Sequence, residues 1–397
     1  MRVFIVPSWY PSEASSVPGS FIYDQARALV EVGVDLSVVV SLWGQGSVEL
    51  SPRHLLRSLR ALTNHLSSPR RTEWQSNGVD HLLDRRLTWS HRLPLGGIGP
   101  AVAASERNMD RAMAQYRGMD LIHAHVSYPA GYIASQLSKR YGVPYIITEH
   151  MGPFPFPGMM RDGKPMVEIT TALASAKATV AVSPALADRI EAFGYHRPIV
   201  IPNLVDEREF RLHPPIHGRF SFLTVCGMSE QKGIDDLLRA VALWDPPASA
   251  VEFLFVGDGP KLGAWKRMAD DLGVSDRVRW LGGLERRDVG SLFMGCNAFV
   301  LPSRHETFGV VLAEAAASGK PLVATRCGGP ESIVNEINGL LVDVGDVSGL
   351  ADALRSVSSE WPNYDAEAIR QDCLMRFGRR PVVDQITDLY RTVLGGG

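Results

Sequence analysis

Residues 303–319 read SRHETFGVVLAEAAASG, and this stretch is the most informative part of the chain. From Phe308 to Ala317 every residue is apolar or glycine except Glu314. A helix of this composition is buried on all sides, and a bare carboxylate inside a protein costs several kcal/mol or takes up a proton. Glu314 therefore has either a partner within the chain or a ligand, and both interpretations are open at this point.

Short apolar runs flank this stretch and recur along the whole chain. Runs that are apolar throughout and alternate with helical patterns indicate parallel strands covered on both faces. The sequence thus predicts an α/β fold with two sets of six strands, one set in each of two doubly wound domains. The predicted strands are Val3–Val6, Leu36–Val40, Leu121–His125, Tyr145–Thr148, Thr179–Val182 and Ile199–Ile201, then Phe220–Val225, Phe253–Val256, Val278–Leu281, Phe299–Leu301, Leu322–Ala324 and Leu340–Val342.

The boundary between the two domains is expected where prolines and charges replace the strand and helix patterns, between Pro202 and Pro215. A chain of 397 residues is also long enough for about two domains. We therefore predict an N-terminal domain over residues 1–204 and a C-terminal domain over residues 205–380. The amphipathic segment 381–397 belongs to neither repeat and is predicted to form a helix that packs back on the first domain.

Composition and charge exclude several classes of protein. Lys and Arg number 41 against 43 Asp and Glu, so there is no global attraction to nucleic acid. The four cysteines lie far apart without a Cys-x-x-Cys pair, which is typical of reduced thiols in the cytoplasm. The apolar run at the N-terminus is too short for a signal peptide, and there is no run of 18 apolar residues. We expect a cytoplasmic protein.

Polar residues follow several predicted strands, and ligands of open α/β sheets bind at the carboxyl ends of strands. His125 and His150 end adjacent strands of the first set, while Lys232 and Glu306 follow strands of the second set. Two such rows of strand ends predict a ligand in a cleft between the domains. His123 is expected to lie on the opposite face of its strand from His125 and to pack inside the protein.

The chain resembles the retaining glycosyltransferases of family 4, which have the GT-B fold and a Glu-x7-Glu signature. The resemblance rests first on Ser303-x-x-Glu306-x-Phe308-Gly309 followed by Glu314-Ala-x-Ala317-x-Gly319. It extends over nearly the whole chain through Gly19-Ser-Phe21, His123-Ala-His125, Pro202-Asn203-x-Val-Asp206, Lys232-Gly233, Val256-Gly-Asp-Gly-Pro260 and Gly328-Gly-Pro-Glu331.

The resemblance implies a fold, an activity and a division of labour. The fold would be GT-B, with two Rossmann-like domains that face a central cleft. The N-terminal domain would bind the acceptor, and the C-terminal domain would bind a nucleoside-diphosphate sugar as the donor. The reaction would transfer the sugar with retention of configuration to a hydroxyl of a glycan or lipid-linked acceptor. The N-terminal sequence looks most like bacterial enzymes of exopolysaccharide or lipopolysaccharide biosynthesis.

The same resemblance implies roles for residues of the C-terminal domain. A helix that begins near Phe308, with Gly309 and Val310 in its first turn, would direct its free amides at the diphosphate. Glu314 would accept hydrogen bonds from the ribose hydroxyls, and Glu306 would contact the donor sugar. Three further residues complete the predicted donor site: Lys232 at the diphosphate, and Gly257 and Gly282 beside the base.

In the N-terminal domain the resemblance places His125 at the reaction centre and His150 at the acceptor. Gly19 would bring a backbone amide close to the phosphates, because glycine permits an approach that a side chain would block.

One position departs from the family pattern. The family usually has an arginine five residues before the lysine, and this chain has Gly227 there. Arg304 is a candidate for the second cation.

Neither a cofactor nor a metal ion is expected. The chain lacks Asp-x-Asp, and its histidines and cysteines lack the spacing of metal ligands. Helix dipole and Lys232 would neutralise the leaving diphosphate instead.

Two other functions remain open, a nucleotide-sugar epimerase on the same fold and a nucleotide-sugar-binding protein that has lost catalysis. Gly227 supports the second of these.

The arginines of the N-terminal half suggest a membrane surface as a further partner. Residues 51–92 contain eight arginines and three acidic residues, a net charge of +5. In a helix over Arg53–Leu62, leucines would form one stripe, and Arg53, Arg57 and Arg60 would lie opposite. This pattern predicts either docking on an anionic membrane or an ordinary helix with an arginine face in water.

Overall fold

A computed structural model describes residues 1–12, 18–44, 49–50, 62–63, 66, 69–86, 88–89, 97–213 and 218–395. The predicted helix over Arg53–Leu62 therefore lies outside the described residues except for Leu62. The chain divides into two compact units. The first unit comprises Met1–Val182, Ala187–Ile201 and Val383–Gly397, and the second comprises Ser183–Leu186 and Pro202–Val382.

The first unit is built on an eight-stranded sheet. In spatial order its strands are β12, β11, β8, β7, β1, β2, β5 and β4, and all neighbours are parallel except the pair β4 and β5. The strands of this unit, including four short ones outside the large sheet, are β1 (Arg2–Pro7), β2 (Ser37–Leu42), β3 (Glu49–Leu50), β4 (Arg71–Ser76), β5 (Val79–Asp84), β6 (Thr88–Trp89), β7 (Leu121–His125), β8 (Tyr145–Glu149), β9 (Met160–Arg161), β10 (Lys164–Pro165), β11 (Ala178–Ala181) and β12 (Ile199–Val200).

The second unit contains a six-stranded, wholly parallel sheet in the order β15, β14, β13, β16, β17, β18. Counted along the chain this is the order 3-2-1-4-5-6 of doubly wound dinucleotide-binding sheets. Its strands are β13 (Phe220–Val225), β14 (Val251–Val256), β15 (Val278–Gly282), β16 (Ala298–Leu301), β17 (Leu322–Thr325) and β18 (Gly339–Val342).

Helices lie between most of the parallel strands, as parallel pairing requires, and three more follow the last strand. They are α1 (Ser20–Val32), α2 (Gly99–Tyr116), α3 (Tyr132–Tyr141), α4 (Val167–Ser175), α5 (Pro184–Ala192), α6 (Ile234–Trp244), α7 (Leu262–Asp271), α8 (Arg286–Gly295), α9 (Val310–Ala317), α10 (Val347–Glu360), α11 (Ala366–Phe377) and α12 (Arg379–Val393). In the described part of the chain, no helix is both long enough and apolar enough to cross a membrane.

The predicted class, two doubly wound α/β domains, is confirmed, and all the predicted strands are present. The apolar runs form strands because they are covered on both faces, as in β1, whose residues Val3 to Val6 are fully buried. The assignment of acceptor binding to the first domain and donor binding to the second stays a prediction.

The prediction of six strands for the first half was incomplete, because it missed the hairpin of β4 and β5 at one edge of the sheet. Strand β4 reads RTEWQS and is mostly exposed, so it lacks the apolar run that marked the other strands. The turn between β4 and β5 is the part of this hairpin that the sequence could have indicated. Asn77 and Gly78 both have positive φ, 50° and 77°, and Asn-Gly is a common two-residue hairpin turn.

Pairing between β13 and β16 joins the two halves of the second sheet and is reinforced by Asn297. Only Phe222 and Leu223 of β13 are in register with β16 residues. Next to them, the buried Asn297 accepts hydrogen bonds at Oδ1 from the Ser221 amide, 3.0 Å away, and from its Oγ, 3.1 Å away. Replacement of Asn297 leaves a buried amide without this acceptor.

We expect Asn297→Ala to lower the free energy of unfolding by about 1 to 3 kcal/mol, the cost of a buried group that loses its hydrogen bond. Urea denaturation of the full chain, followed by circular dichroism, measures the change. Asn363→Ala, at an exposed asparagine of the same unit, is the control and should leave the urea midpoint unchanged. An unchanged midpoint in Asn297→Ala would show that the strand pairing does not depend on this side chain.

Candidate functional site

The second sheet changes its direction of winding between β13 and β16. The chain leaves β13 toward β14 on one side and leaves β16 toward β17 on the other. The loops after these two strands therefore diverge and open a crevice at their carboxyl ends, the usual ligand site of such sheets. Lys232 lies in the loop after β13, and Glu306 lies in the loop after β16.

Lys232 and Glu306 are in direct contact. The Lys232 Nζ lies 2.5 Å from Glu306 Oε1, and Ser303 Oγ donates to the same carboxylate oxygen at 2.9 Å. Burial disfavours the charged ammonium, but attraction to Glu306 outweighs this effect and raises the pKa of Lys232 above its usual value. The site thus holds a permanent cation and a carboxylate side by side.

Close contact between the two loops explains the glycine that follows Lys232. Gly233 has φ of 63°, and a Cβ there would lie 2.0 Å from the carbonyl oxygen of Pro302. A side chain would push apart the loops that bring Lys232 to Glu306. Ser303, which was quoted only as part of the family motif, is the residue that sequence reasoning left without a role.

Arg304 lies next to this pair, but its guanidinium group is bound elsewhere. It donates through Nη1 to the Glu230 carbonyl at 2.7 Å, and through Nη2 to Asp235 and Asp236 at 2.9 and 2.7 Å. Two carboxylates at the start of α6 thus neutralise the charge of Arg304. These contacts favour a structural role and weigh against the predicted role of Arg304 as the second cation of a diphosphate site.

Helix α9 begins at Val310, two residues later than the sequence predicted. Gly309 precedes it with φ of 93° and, as a glycine, has no side chain that could cap the first turn. Phe308 is buried and packs edge-on against Phe377, with ring centroids 5.5 Å apart. The start of α9 is therefore fixed by packing, and its first amides lie at the carboxyl edge of the sheet.

Glu314 is buried on α9, with 7% of its surface exposed, and has a partner in the chain. Arg286 Nη2 lies 3.4 Å from Glu314 Oε1, while Arg286 Nε lies 3.3 Å from a carboxylate oxygen of Glu209. The contact to Glu314 is longer than the roughly 2.7 to 2.9 Å of a strong charge-assisted hydrogen bond. Arg286 thus balances the charge of Glu314 within the chain, and the predicted contact of Glu314 with a ligand stays a prediction.

Gly257 and Gly282 lie together at the carboxyl ends of β14 and β15. The Gly257 amide donates to the Gly282 carbonyl at 2.8 Å, and φ is 132° at Gly257 and 73° at Gly282. A Cβ at Gly257 would lie 1.8 Å from the carbonyl oxygen of Cys226, so the fold itself requires this glycine. Their predicted place beside a nucleotide base stays a prediction.

In the first unit His125 and His150 form a buried pair at the ends of β7 and β8. His125 Nδ1 lies 3.0 Å from His150 Nε2, at hydrogen-bond distance. Burial lowers the pKa of His150 to about 3 and lowers that of His125 well below its usual value. Both rings are therefore neutral at pH 7, and one of the two facing nitrogens donates while the other accepts.

The outer nitrogens of this pair, His125 Nε2 and His150 Nδ1, are buried without a hydrogen-bond partner among the described residues. Because the inner hydrogen bond fixes the two tautomers together, one outer nitrogen carries a proton and the other carries a lone pair. The pair therefore has one hydrogen-bond donor and one acceptor that the described residues do not use.

The prediction that His123 lies on the opposite face of β7 from His125 was wrong. Residues two apart in a strand share a face, and the His123 and His125 rings stack with centroids 4.3 Å apart. His123 hydrogen bonds to Tyr390 Oη at 2.6 Å through Nδ1 and to Thr148 Oγ1 at 2.8 Å through Nε2. His123 is packed inside the protein, as expected, and its ring contacts the His125 ring.

Glu149, just before His150, is a buried carboxylate that the sequence interpretation did not single out. It accepts hydrogen bonds from the backbone amides of Ser127, His150 and Met151 at 2.8 to 2.9 Å. Burial raises its pKa, although these hydrogen bonds act in the opposite direction. Glu149 thereby fixes the backbone at the ends of β7 and β8, where the histidine pair lies.

Gly19, the predicted phosphate-binding glycine, precedes α1 with φ of 73°. A Cβ there would lie 2.4 Å from the Trp9 carbonyl oxygen. Contact with the loop after β1 thus requires a glycine, whatever the ligand. Among the described residues, no group of three or more His, Cys, Asp or Glu side chains has the geometry of a metal site.

Two models of protein families match the chain. The model described as "Glycosyltransferase Family 4" matches residues 19–209. The model described as "Glycosyl transferases group 1" matches residues 219–360. The two matches are consecutive and together cover most of the chain.

Individual proteins show the same similarity. An uncharacterized glycosyltransferase of Methanocaldococcus jannaschii is 24% identical over 355 residues, which are 86% of this chain and 95% of that protein. LpsE of Rhizobium meliloti, a lipopolysaccharide core biosynthesis glycosyltransferase, is 32% identical over 222 residues, 53% of this chain and 62% of LpsE. The solved structure of Anabaena HepE in complex with UDP-glucose has a TM-score of 0.71 at 20% identity, and the match covers 99% of this chain and 100% of HepE.

The buried histidines should make stability depend on pH. An unfolded histidine takes up a proton below about pH 6.5, whereas burial holds the pKa of His123 at about 3. The contribution of the neutral His123 ring to the free energy of unfolding is therefore fully present above about pH 6.5, and it is lost as the pH falls below this value. Between pH 7 and pH 5 each such histidine should lower the free energy of unfolding by about 2 kcal/mol.

The measurement is urea denaturation at pH 7 and at pH 5. We expect His123→Gln to lose about 2 kcal/mol less than the wild type over this range, because it has one buried histidine fewer. His196→Gln, at an exposed histidine, is the control. Equal pH dependence in the wild type and His123→Gln would contradict the assignment of a buried neutral ring.

Proposed function

The chain belongs to glycosyltransferase family 4 and has the GT-B fold, and we propose that it transfers a hexose from a nucleoside-diphosphate sugar to a glycan or lipid-linked acceptor. The observation that carries this proposal is the contact between Lys232 and Glu306 in the crevice between β13 and β16. This contact places a protonated lysine beside a carboxylate at the carboxyl edge of a sheet that has the strand order of dinucleotide-binding folds.

In the proposed donor complex the diphosphate binds to Lys232 and to the first amides of α9. An ammonium group and a helix N-terminus both attract anions. Phosphate oxygens compete with Glu306 for the ammonium, so the Glu306 carboxylate becomes available to the hydroxyls of the donor sugar. The Glu314 carboxylate accepts hydrogen bonds from the ribose hydroxyls. Glu314 lies about one helical turn after the start of α9, where the diphosphate binds.

The proposed reaction is a substitution on one face of the sugar. The bond between the anomeric carbon and the diphosphate oxygen breaks, and a bond to the acceptor oxygen forms on the same face. The acceptor proton passes to the leaving phosphate oxygen. We propose direct transfer and not double displacement, because the donor complex described above assigns the Glu306 carboxylate to the sugar hydroxyls and not to the anomeric carbon.

Negative charge builds on the diphosphate as it leaves, and its stabilisation is the main contribution of the protein. We propose that Lys232 and α9 supply this positive charge and that no metal ion is required. In the first unit, the neutral pair of His125 and His150 supplies one hydrogen-bond donor and one acceptor. This combination suits an acceptor or donor-sugar hydroxyl.

The place of the reaction in bacterial polysaccharide assembly is supported by the similarity to LpsE, whose name assigns it to lipopolysaccharide core biosynthesis. The two alternatives differ from this proposal in their products. An epimerase releases no nucleoside diphosphate in net turnover unless it hydrolyses its substrate, and a protein without catalysis releases none. An assay of nucleoside diphosphate release with and without acceptor distinguishes the three functions.

In this assay we expect release that depends on the acceptor in the wild type, and at least about tenfold less activity in Lys232→Ala and in Glu314→Ala. The reason is that each variant loses a charge-assisted contact to the donor, worth about 1.5 to 3 kcal/mol. Calorimetry with the nucleoside diphosphate should show weaker binding in both variants.

Lys266→Ala and Glu360→Ala are the matched controls, because they remove the same charges at exposed positions of the same unit. Wild-type kinetics in Lys232→Ala and Glu314→Ala would refute the donor site. Activity without acceptor in the wild type would instead indicate hydrolysis.

A substitution at Gly227 tests the donor site by strengthening the binding of the nucleoside diphosphate instead of weakening it. A Cβ at Gly227 would meet no heavy atom within 4 Å, so a side chain fits there. We expect Gly227→Arg to bind the nucleoside diphosphate about tenfold more tightly, because it adds a second cation near Lys232. Gly227→Gln is the matched control of similar size without charge, and equal affinity of the two variants in calorimetry would contradict the prediction.

A further inference from the structure

A single buried carboxylate in the first unit has four arginines around it. Asp84 ends β5 and has 1% of its side chain exposed. Arg70 and Arg71 approach its oxygens to 3.8 and 3.6 Å, and Arg86 approaches to 3.1 Å. Arg107 of α2 makes a direct hydrogen bond to Asp84 Oδ2. We name these four side chains the arginine cluster.

The arginine cluster carries more charge than Asp84 balances. Four guanidinium groups and one carboxylate leave a net charge of +3. Glu73, another carboxylate of the hairpin, is engaged by Arg111 at 2.5 Å. Asp80 is engaged by Gln75 at 3.0 Å and by the Tyr116 hydroxyl.

Neutralisation of Asp84 does not explain this arrangement. One or two guanidinium groups satisfy the oxygens of a carboxylate, and each additional arginine repels the others. Arg70 and Arg71 are still 59% and 57% exposed and lie farthest from the carboxylate. Their positions fit a second, absent anion better than they fit Asp84.

The arginine cluster lies on the ligand edge of its sheet. Asp84 is the last residue of β5, which is parallel to β2 and through it to β1 and β7. The carboxyl ends of these strands form the edge at which β7 and β8 present His125 and His150. Arg71 reaches this edge because β4 is antiparallel to β5 and begins opposite Asp84.

We propose that the arginine cluster binds a phosphate or diphosphate group on the acceptor. This inference rests on the proposed function and specifies its acceptor class, a sugar or lipid carrier that bears phosphate. One guanidinium group can donate two parallel hydrogen bonds to two oxygens of a phosphate, a geometry that an ammonium group lacks. A diphosphate carries two or three negative charges, which match the surplus charge of the cluster.

The shape of the arginine cluster favours a compact anion over a flat membrane surface. Arg86 and Arg107 are only 21% and 30% exposed, so half of the cluster is partly buried while Arg70 and Arg71 are mostly exposed. A single phosphate group can contact partly buried and exposed arginines together, whereas the headgroups of a flat bilayer would contact chiefly the two exposed ones.

The test is calorimetric titration of the full chain with inorganic pyrophosphate at low ionic strength, where exposed charges are least screened. UDP in excess occupies the proposed donor site, so the titration reports other sites. We expect pyrophosphate to bind the wild type and to bind Arg70→Ser/Arg71→Ser about tenfold or more weakly, since two charge-assisted contacts are lost. Arg86 and Arg107 remain in this variant to neutralise Asp84, and thermal denaturation checks its fold.

Arg140→Ser/Arg197→Ser is the matched control, because it removes two exposed arginines of the same unit that are already paired with acidic side chains. Its pyrophosphate affinity should equal that of the wild type, and so should that of Lys232→Ala. Equal affinities in the two double variants would overturn the proposal. UDP binding by the arginine variants is measured in parallel, so that failure of the donor site is recognised separately.

Vesicles distinguish the source of the phosphate. Binding to phosphatidylglycerol vesicles that requires Arg70 and Arg71, without binding of soluble pyrophosphate, would also overturn the proposal and would identify a membrane contact instead. Pyrophosphate binding that requires both arginines supports the proposal whether or not the vesicles bind.

Discussion

Parallel strands have to be joined by connections that cross the sheet from one end to the other, and both units of this protein depend on that constraint. Each sheet has a first strand inside it, β1 in the first unit and β13 in the second, with the next strands of the chain on one side and later strands on the other. Where the two sides meet, consecutive loops diverge at the carboxyl ends of neighbouring strands. Within each unit the candidate residues lie at these strand ends, so the topology places them at one edge of their own sheet.

Within each unit, neighbours hold the candidate groups in a defined state of charge. Lys232 stays protonated because Glu306 is in contact with it, although burial disfavours the ammonium. His125 and His150 stay neutral because burial disfavours the charged form of the imidazole and lowers the pKa of both side chains. A cation suits a diphosphate, and a neutral donor and acceptor suit a hydroxyl. These two charge states are the basis of the proposal that Lys232 binds the diphosphate and the histidine pair binds a hydroxyl.

The balance of charge separates arginines that support the fold from arginines available to a ligand. Arg304 and Arg239 share two carboxylates, Asp235 and Asp236, so their charges are balanced within the protein. The arginine cluster shows the reverse, since four guanidinium groups share the single carboxylate of Asp84. Arg304 and the arginine cluster both lie near the carboxyl edge of a sheet. They differ in the number of carboxylates available to each arginine. The surplus at Asp84 is the physical basis for an additional anion.

The sequence by itself determined the class of fold, because strands buried on both faces are apolar throughout and such runs are visible without any knowledge of packing. It also identified Glu314, since a lone carboxylate in an apolar helix requires a partner. The tertiary structure alone decided which partner lies in the chain, Arg286, and brought Arg107 of α2 to Asp84. It also revealed β4, whose exposure removes the apolar pattern of a buried strand. Local patterns record the burial of a segment, whereas the partner of a charge is set by the packing of elements distant in sequence.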